Sequence, residues 1–169
     1  MRKGLDALYD GAAWLAGLFM VALLLAVLAS ILGRQFHFNI PGTDAYAGYM
    51  MAGAGFLALA HTLKRDEHIR VTLLLQALSP QARHRLEIWA LLAASVLAGL
   101  VAFYSMRLAW QSHAFNDIST GNDATPLWLP QLSMALGTAI LAIAFVDELV
   151  LELRGRRVRP ASSEMSHVE

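Results

Sequence analysis

The sequence AYAGYMMAGAGFLALAHTLKRDEHIRV, residues 45–71, decides the fold because it joins a long apolar run to a dense group of charges. Residues 45–63 contain no Asp, Glu, Lys or Arg, and this run approaches the roughly 20 apolar residues that cross a bilayer core as a helix. Gly48, Ala52 and Gly55 recur at helical spacing, and such small residues let helices pack closely in lipid. We therefore predict a transmembrane helix with one face of small side chains, and this face packs either within this chain or onto another membrane protein.

The composition of the whole chain points to the same class. Hydrophobic residues make up 57% of the sequence and charged residues only 15%, and the charges gather in short clusters between apolar runs. This distribution is typical of a polytopic membrane protein rather than a soluble domain. Cysteine is absent, which excludes disulfides, a thiolate nucleophile and cysteine-ligated metal sites.

Three further uncharged runs extend the pattern along the chain. We predict an all-α membrane protein with four transmembrane helices, in one domain over residues 1–153, with spans at 12–33, 45–63, 86–107 and 126–147. For the first run, the alternative is a signal peptide cleaved near Val27-Leu28-Ala29, although the run is longer than a typical signal core.

Turn and capping residues mark the ends of the predicted helices. Pro41-Gly42 is a turn signal, and Thr43 or Asp44 is expected to cap the second helix. Ser79-Pro80 is expected to start the third, which would be about 50 Å long if it continued to about His113.

Two segments are predicted to lie outside the spans. Residues 66–78 place leucines on one helical face, which predicts an amphipathic interfacial segment between helices 2 and 3. A frayed end of the second span is the alternative for that segment. Residues 154–169 form a basic tail that is expected to be disordered.

The distribution of Lys and Arg predicts the orientation. Basic residues are concentrated in the N-terminus, the second connection and the C-terminal tail, whereas the first connection holds only Arg34 and the third has none beyond Arg107 at the helix end. By the positive-inside rule, both termini and the middle connection face the cytoplasm of a bacterium, with the spans in its inner membrane.

Residues for chemistry within the membrane are scarce. No two histidines lie at matched depth in two spans, which argues against a haem held between helices, although His37 with His113 at the outer rim stays open. Ionisable residues such as Asp147 and Glu148 lie at span ends, where they can reach water or one another, rather than along a pathway. We therefore expect neither an enzyme nor a complete transporter, with no cofactor and no nucleic-acid partner, but a membrane scaffold.

The chain resembles the small membrane subunit, the Q component, of tripartite ATP-independent periplasmic (TRAP) transporters over nearly its whole length. The most specific element is His68-Ile69-Arg70-Val71 after the span rich in small residues. Where the family commonly has a Trp and adjacent acids, Gly42-Thr43-Asp44 has one acid and no Trp. The other supports are Arg34, the outer turn with Pro41 and Asp44, Thr125-Pro126-Leu127-Trp128, Pro130 and Gly137.

The resemblance implies a function and its partners. In such a transporter, a periplasmic binding protein delivers a small organic acid, and a large (M) membrane subunit carries it inward on an ion gradient. The small subunit would bind the large subunit as a scaffold. Contacts with that partner or with lipid are expected at Arg34, Asp44, Lys64, Arg65, Asp66, Glu67, His68, Gly48, Ala52 and Gly55, and contacts with the periplasmic receptor at Asp117, Asn122 and Asp123.

Two other functions stay open from the residues alone. A membrane anchor subunit of a respiratory enzyme would hold haem or quinone, and a coloured purified chain would favour it. A small autonomous carrier or channel would transport in vesicles by itself.

Overall fold

The computed structural model describes residues 2–38, 41–65 and 79–155, and these residues form four long helices. They are α1 (Arg2–Gln35), α2 (Thr43–Lys64), α3 (Pro80–Ala114) and α4 (Trp128–Leu153). The predicted all-helical fold with four helices is therefore confirmed. The predicted interfacial segment, residues 66–78, lies outside the described residues, as does the tail beyond residue 155.

Three of these helices, α1, α3 and α4, are long and apolar enough to cross a membrane. The helix α2 is not among them, although it has 22 residues, because glycine, tyrosine and histidine dilute its apolar content. The same small residues that lower its hydropathy allow α2 to pack closely on its neighbours.

Contacts between helices place them in a row rather than in a square bundle. In the part of the chain that is described, α1 packs on α2, α2 on α4 and α4 on α3, while α1 only touches α4. The order across the row is therefore α1, α2, α4, α3. The two outer helices consequently carry much of the exposed apolar surface, including Trp14 and Leu25 on α1 and Leu97 and Trp110 on α3.

Small side chains bring the central helices together. Ala54 and Ala60 of α2 and Ala135 and Ala144 of α4 are buried. The two helices approach closely at Gly137 of α4, where an added Cβ would lie 2.5 Å from the backbone of Phe56 in α2. Only glycine fits at this position unless the helices separate.

The helix starts agree with the sequence in one case and differ in another. Ser79 caps α3 as predicted, with its hydroxyl accepting a hydrogen bond from the backbone N–H of Ala82, and Pro80 opens the helix. The predicted cap of α2 by Thr43 or Asp44 is wrong, because Gly42 occupies the N-cap position with a φ of 84°. A left-handed φ favours glycine, and a Cβ there would meet Asp123 at 2.8 Å.

Candidate functional site

A cluster of opposite charges joins α2 to α4 at the level where α1 and α3 begin and where α2 and α4 end. We call this level the inner end of the helix row and the opposite level its outer end. The Lys64 ammonium donates hydrogen bonds to Asp147 Oδ2 and to Glu148 Oε1, the second at 2.9 Å. The three side chains are only 19%, 21% and 11% exposed, respectively. Lys64, which closes α2, therefore carries a largely buried positive charge between two acids of α4.

The helix α1 reaches the same cluster through an aromatic ring. The Lys64 ammonium lies 5.3 Å from the centre of the Tyr9 ring, a distance at which cation–π attraction operates. Tyr9 is buried with Ala60, Leu63 and Ala144, so the apolar core of the row lies directly against its charged cluster. This combination of charge and core, which we call the inner clasp (Tyr9, Lys64, Asp147 and Glu148), fixes three helices at one level.

The helix α3 is attached at the same end by a contact between a histidine and a third acid of α4. His84 Nδ1 lies 2.9 Å from Glu152 Oε1, and the Glu152 side chain is almost wholly buried. Glu148 and Glu152 are one helical turn apart on the same face of α4. The first acid contacts α2 and the second contacts α3. All four helices are thus connected at this end.

Of the inner clasp, the sequence singled out only Lys64, as a contact with the partner or with lipid, and the structure pairs it with two acids of its own chain. One signal pointed to the acidic side of the clasp. Glu148 and Glu152 at i, i+4 in an apolar helix are expensive to bury and require partners. The sequence predicted Asp147 and Glu148 at a span end, where they can reach water or one another, whereas the structure largely buries them against Lys64. Arg65, the residue after Lys64, is exposed, and the predicted site residues Asp66, Glu67 and His68 lie outside the described residues.

The opposite end of the row has a different kind of ionic contact. Arg34 at the end of α1 lies 3.6 Å from Asp44 at the start of α2, and their side chains are 75% and 82% exposed. Ser30 donates a hydrogen bond to the same Asp44 carboxylate at 3.1 Å. The structure thus brings Arg34 and Asp44 together as a solvated surface pair.

The loop between α3 and α4 is held against α2 by Asp123. Its carboxylate accepts hydrogen bonds from the Tyr49 hydroxyl at 2.9 Å and the Ser119 hydroxyl at 2.8 Å. These bonds, with Ser119 the largest contributor, lower the pKa of the Asp123 carboxyl from 3.8 to about 2. The Cβ of Asp123 also fills the space beside Gly42, so the two connections at this end of the row contact each other.

The three residues predicted to meet a periplasmic receptor differ in their surroundings. Asp117 and Asn122 are exposed, and Asn122 lines a cavity of about 600 Å³ together with Arg34 and His37. Asp123 is instead engaged within the chain. Its hydrogen bonds give it a role in holding the loop, while the first two side chains face outward.

The stripe of small residues on α2, defined by Gly48, Ala52 and Gly55, is exposed. An added Cβ at Gly48 or Gly55 would meet nothing within 4 Å, whereas one at Gly53 would lie 3.0 Å from the Phe19 ring of α1. The small residues of α2 therefore lie on two faces, one packed against α1 and one open. We call the open face, formed by Gly48, Ala52 and Gly55, the α2 stripe.

These features define a class of protein. The chain is an apolar, multi-helix membrane protein whose charged groups at the helix ends hold its own helices together. Among the described residues, no group of three or more His, Asp or Glu side chains could hold a metal ion.

The family follows from one comparison. Residues 12–155 match the family model described as "Tripartite ATP-independent periplasmic transporters, DctQ component", and the chain belongs to this family. A search of curated proteins found no match. The resemblance inferred from the sequence is confirmed: the chain is a small permease subunit of a TRAP transporter, and its family is one of transporter components rather than of enzymes. The family match also favours this assignment over a respiratory anchor.

Proposed function

We propose that this chain is the scaffold on which the large TRAP membrane subunit is held during ion-gradient-driven uptake of a small organic acid. The observation that carries the proposal is the open α2 stripe in the middle of the helix row. A periplasmic binding protein would deliver the acid to the assembled pair. The small subunit itself would not carry the substrate.

The stripe supports docking of a helix because it differs from the lipid-facing surfaces of the same chain. Outer faces of α1 and α3 present large side chains, such as Trp14, Leu97 and Leu100, which suit contact with acyl chains. The α2 stripe presents almost no side chain, and helices in lipid associate where small residues let their backbones approach.

The use of the charged groups supports a static role. Lys64 is hydrogen-bonded to Glu148, and Glu152 is hydrogen-bonded to His84. These largely buried contacts connect the helices of the row. Ionisable side chains that mark a substrate or ion pathway lie within the spans and face the interior of the bundle or a water-filled cavity. The charges of the inner clasp instead connect α2 to α4.

The topology that fits this role places all four helices across the bacterial inner membrane. The 22 residues of α2 extend about 33 Å at about 1.5 Å per residue, enough to cross the hydrocarbon core. The distribution of Lys and Arg assigns both termini and the inner clasp to the cytoplasmic side. A reporter fused after Glu169 should be active in the cytoplasm, and activity only on the outside would reject this orientation.

At the periplasmic end, Asp117 and Asn122 are the better candidates for receptor contact because they are exposed. Asp123 would support them indirectly by holding the loop on Tyr49. The exposed Arg34–Asp44 pair would connect the first two helix ends weakly beside the same surface.

The scaffold role is tested by isolating a tagged chain from native membranes in mild detergent. We expect a much larger polytopic subunit to elute with it in stoichiometric amount. Gly55→Leu would fill the α2 stripe and should reduce the recovered large subunit by at least about tenfold, since close backbone contact would be lost.

The matched control is Gly99→Leu on α3, because a Cβ at Gly99 also meets nothing within 4 Å. Both variants add the same side chain to an exposed helix position, so both should fold. Equal recovery of the large subunit with the two variants would reject the stripe as the docking surface. Recovery of the unsubstituted chain alone would reject the scaffold role itself.

A further inference from the structure

Large aromatic side chains mark both ends of the exposed faces of α1 and α3. On α1 they are Trp14 and Phe36, which follows the helix directly and donates its backbone N–H to the carbonyl of Leu32. On α3 they are Trp89 and Trp110. All four side chains are between 69% and 84% exposed, so packing within the chain does not account for them. We call them the aromatic edges, inner at Trp14 and Trp89 and outer at the other two.

The aromatic edges have nearly the same spacing on the two helices. Along α1, Trp14 and Phe36 lie about 33 Å apart at about 1.5 Å per residue. Along α3, Trp89 and Trp110 lie about 32 Å apart on the same measure. A tilt of about 20°, which is common for helices in membranes, shortens both distances to about 30 Å, the thickness of the hydrocarbon core. Tryptophan is enriched at the boundaries of that core because its ring is apolar and its N–H is polar.

The charges of α1 and α3 respect the same boundaries. Residues 15–33 and 90–106 contain no Asp, Glu, Lys or Arg. Arg34 and Arg107 lie within about 5 Å of the outer aromatic edges along their helices, so their long side chains can reach the boundary. Between the edges, the exposed side chains are large and apolar, such as Leu25 and Leu100. The two faces therefore have the length, the edges and the composition that suit acyl chains.

The charged contacts at the inner end of the row lie beyond the inner aromatic edge. Tyr9, the residue of the inner clasp on α1, precedes Trp14 by about 7.5 Å along the helix. His84, which contacts Glu152, precedes Trp89 by the same distance of about 7.5 Å along α3. A hydrocarbon core that ended at the two tryptophans would leave both contacts at the depth of the lipid headgroups.

We propose that bilayer acyl chains cover the outer faces of α1 and α3 between the aromatic edges, and that the inner clasp lies outside the hydrocarbon core, in the headgroup layer. The first turns of α1, residues 3–10, extend past the inner boundary together with the clasp. The clasp charges are therefore enclosed by their own helices and not by hydrocarbon. This placement depends neither on the direction of insertion nor on the scaffold role.

The test is spin labelling of the full chain at single positions, which the absence of cysteine allows. Each labelled chain is reconstituted in bilayers with the large subunit. Collisions of the nitroxide are then measured with oxygen, which dissolves in hydrocarbon, and with a water-soluble nickel chelate. Leu25 and Leu100 lie midway between the aromatic edges, whereas Leu8 and Leu86 lie beyond the inner edge. All four are exposed leucines, so each helix supplies a matched pair.

The two pairs measure the depth of the boundary. We expect the ratio of oxygen to nickel collisions to be at least about tenfold higher for Leu25→Cys than for Leu8→Cys, because the hydrocarbon core holds no water to carry the chelate. Leu100→Cys should differ from Leu86→Cys in the same direction. Equal ratios at positions 8 and 25 would mean that both lie on the same side of the boundary, and would overturn the placement of the clasp.

Omitting the large subunit tests which molecule covers the two faces. Both collision rates of Leu25→Cys and of Leu100→Cys should be the same with and without it. If the large subunit protects either position from oxygen and nickel alike, protein covers that face and the proposal of lipid contact is wrong there. The scaffold role would survive that result, because recovery of the large subunit with the tagged chain tests it separately.

Discussion

The two ends of the helix row use the same pairing of a basic residue with an acid in opposite surroundings. At the inner clasp, Lys64, Asp147 and Glu148 are between 11% and 21% exposed and sit against the apolar core. At the outer end, Arg34 and Asp44 are at least 75% exposed. The chemistry of the charges is similar, and the difference lies in how much water each pair has lost.

This difference decides how each end is held together. A buried charge that loses its partner is strongly destabilising, whereas an exposed pair contributes about 0–1 kcal/mol. The inner end therefore depends on its ion pairs. The outer end depends on the loop that docks through Asp123 and Gly42, with the Arg34–Asp44 pair as a minor contribution.

Lys64→Met tests the buried end most severely. It keeps much of the side-chain volume and leaves Asp147 and Glu148 without the ammonium, so we expect the free energy of unfolding to fall by about 3–5 kcal/mol. The measurement is thermal or denaturant unfolding of the purified chain in detergent.

Neutralising the two acids in the same background sharpens this result. Adding Asp147→Asn and Glu148→Gln to Lys64→Met should restore much of the lost stability, because no uncompensated carboxylate would then face Lys64's former position. If Lys64→Met alone lowers the free energy of unfolding by less than about 1 kcal/mol, the inner clasp behaves like an exposed ion pair and not like a buried one.

The second prediction separates charge from close packing. Gly137→Ala would place a methyl group 2.5 Å from the Phe56 backbone, so α2 and α4 must separate. We expect a loss of about 1–3 kcal/mol, typical of overpacking. Gly99→Ala on the open face of α3 is the control and should be neutral or slightly stabilising. Equal stability of the two variants would mean that the helices do not pack at this distance.

The third prediction concerns the exposed pair. Arg34→Gln removes the charge beside Asp44 at the outer end, and we expect unfolding stability to change by no more than about 1 kcal/mol. The same unfolding assay measures it. A loss as large as that of Lys64→Met would remove the distinction between the two ends.

The smallest expected effect is confined to the outer loop and appears only in acid. The folded-state pKa of Asp123 is lowered from 3.8 to about 2. The stabilisation that its ionised carboxylate gives to the outer loop is therefore complete above about pH 4 and is lost as the pH falls through about 2. A fluorophore on Asn122→Cys, the only thiol in a chain without cysteine, should gain mobility over that range.

Asp123→Asn in the same labelled chain is the control for the acid effect. Its amide cannot reproduce the ionised acceptor for Tyr49 and Ser119, so the probe should be mobile already at neutral pH and change little in acid. A probe whose acid response is the same with and without Asp123 would show that another group controls the loop.

The helices were predictable from the sequence because apolar length and charge placement are local properties. Three of the four helices contain an uncharged run, and α4 begins two residues after the fourth run does. The Ser79-Pro80 start of α3 follows from the chemistry of the capping residue itself. Interactions between residues close in sequence were enough to predict these elements.

The inner clasp and the start of α2 were not predictable in the same way. Lys64 and Glu148 meet only because α2 lies beside α4, and a linear pattern does not contain that adjacency. Gly42 takes the N-cap position where Asp123 from a distant loop approaches it, so local capping preference alone misassigned the start. Likewise, the small residues of α2 could be assigned to an open or a packed face only after α1 and α4 were in place.

The most direct test of the account is uptake in proteoliposomes that contain the large subunit with or without this chain, supplied with the loaded periplasmic receptor and an ion gradient. We predict uptake only when both membrane subunits are present, with no uptake by this chain alone. Uptake by this chain alone, or equal uptake by the large subunit without it, would contradict the scaffold role.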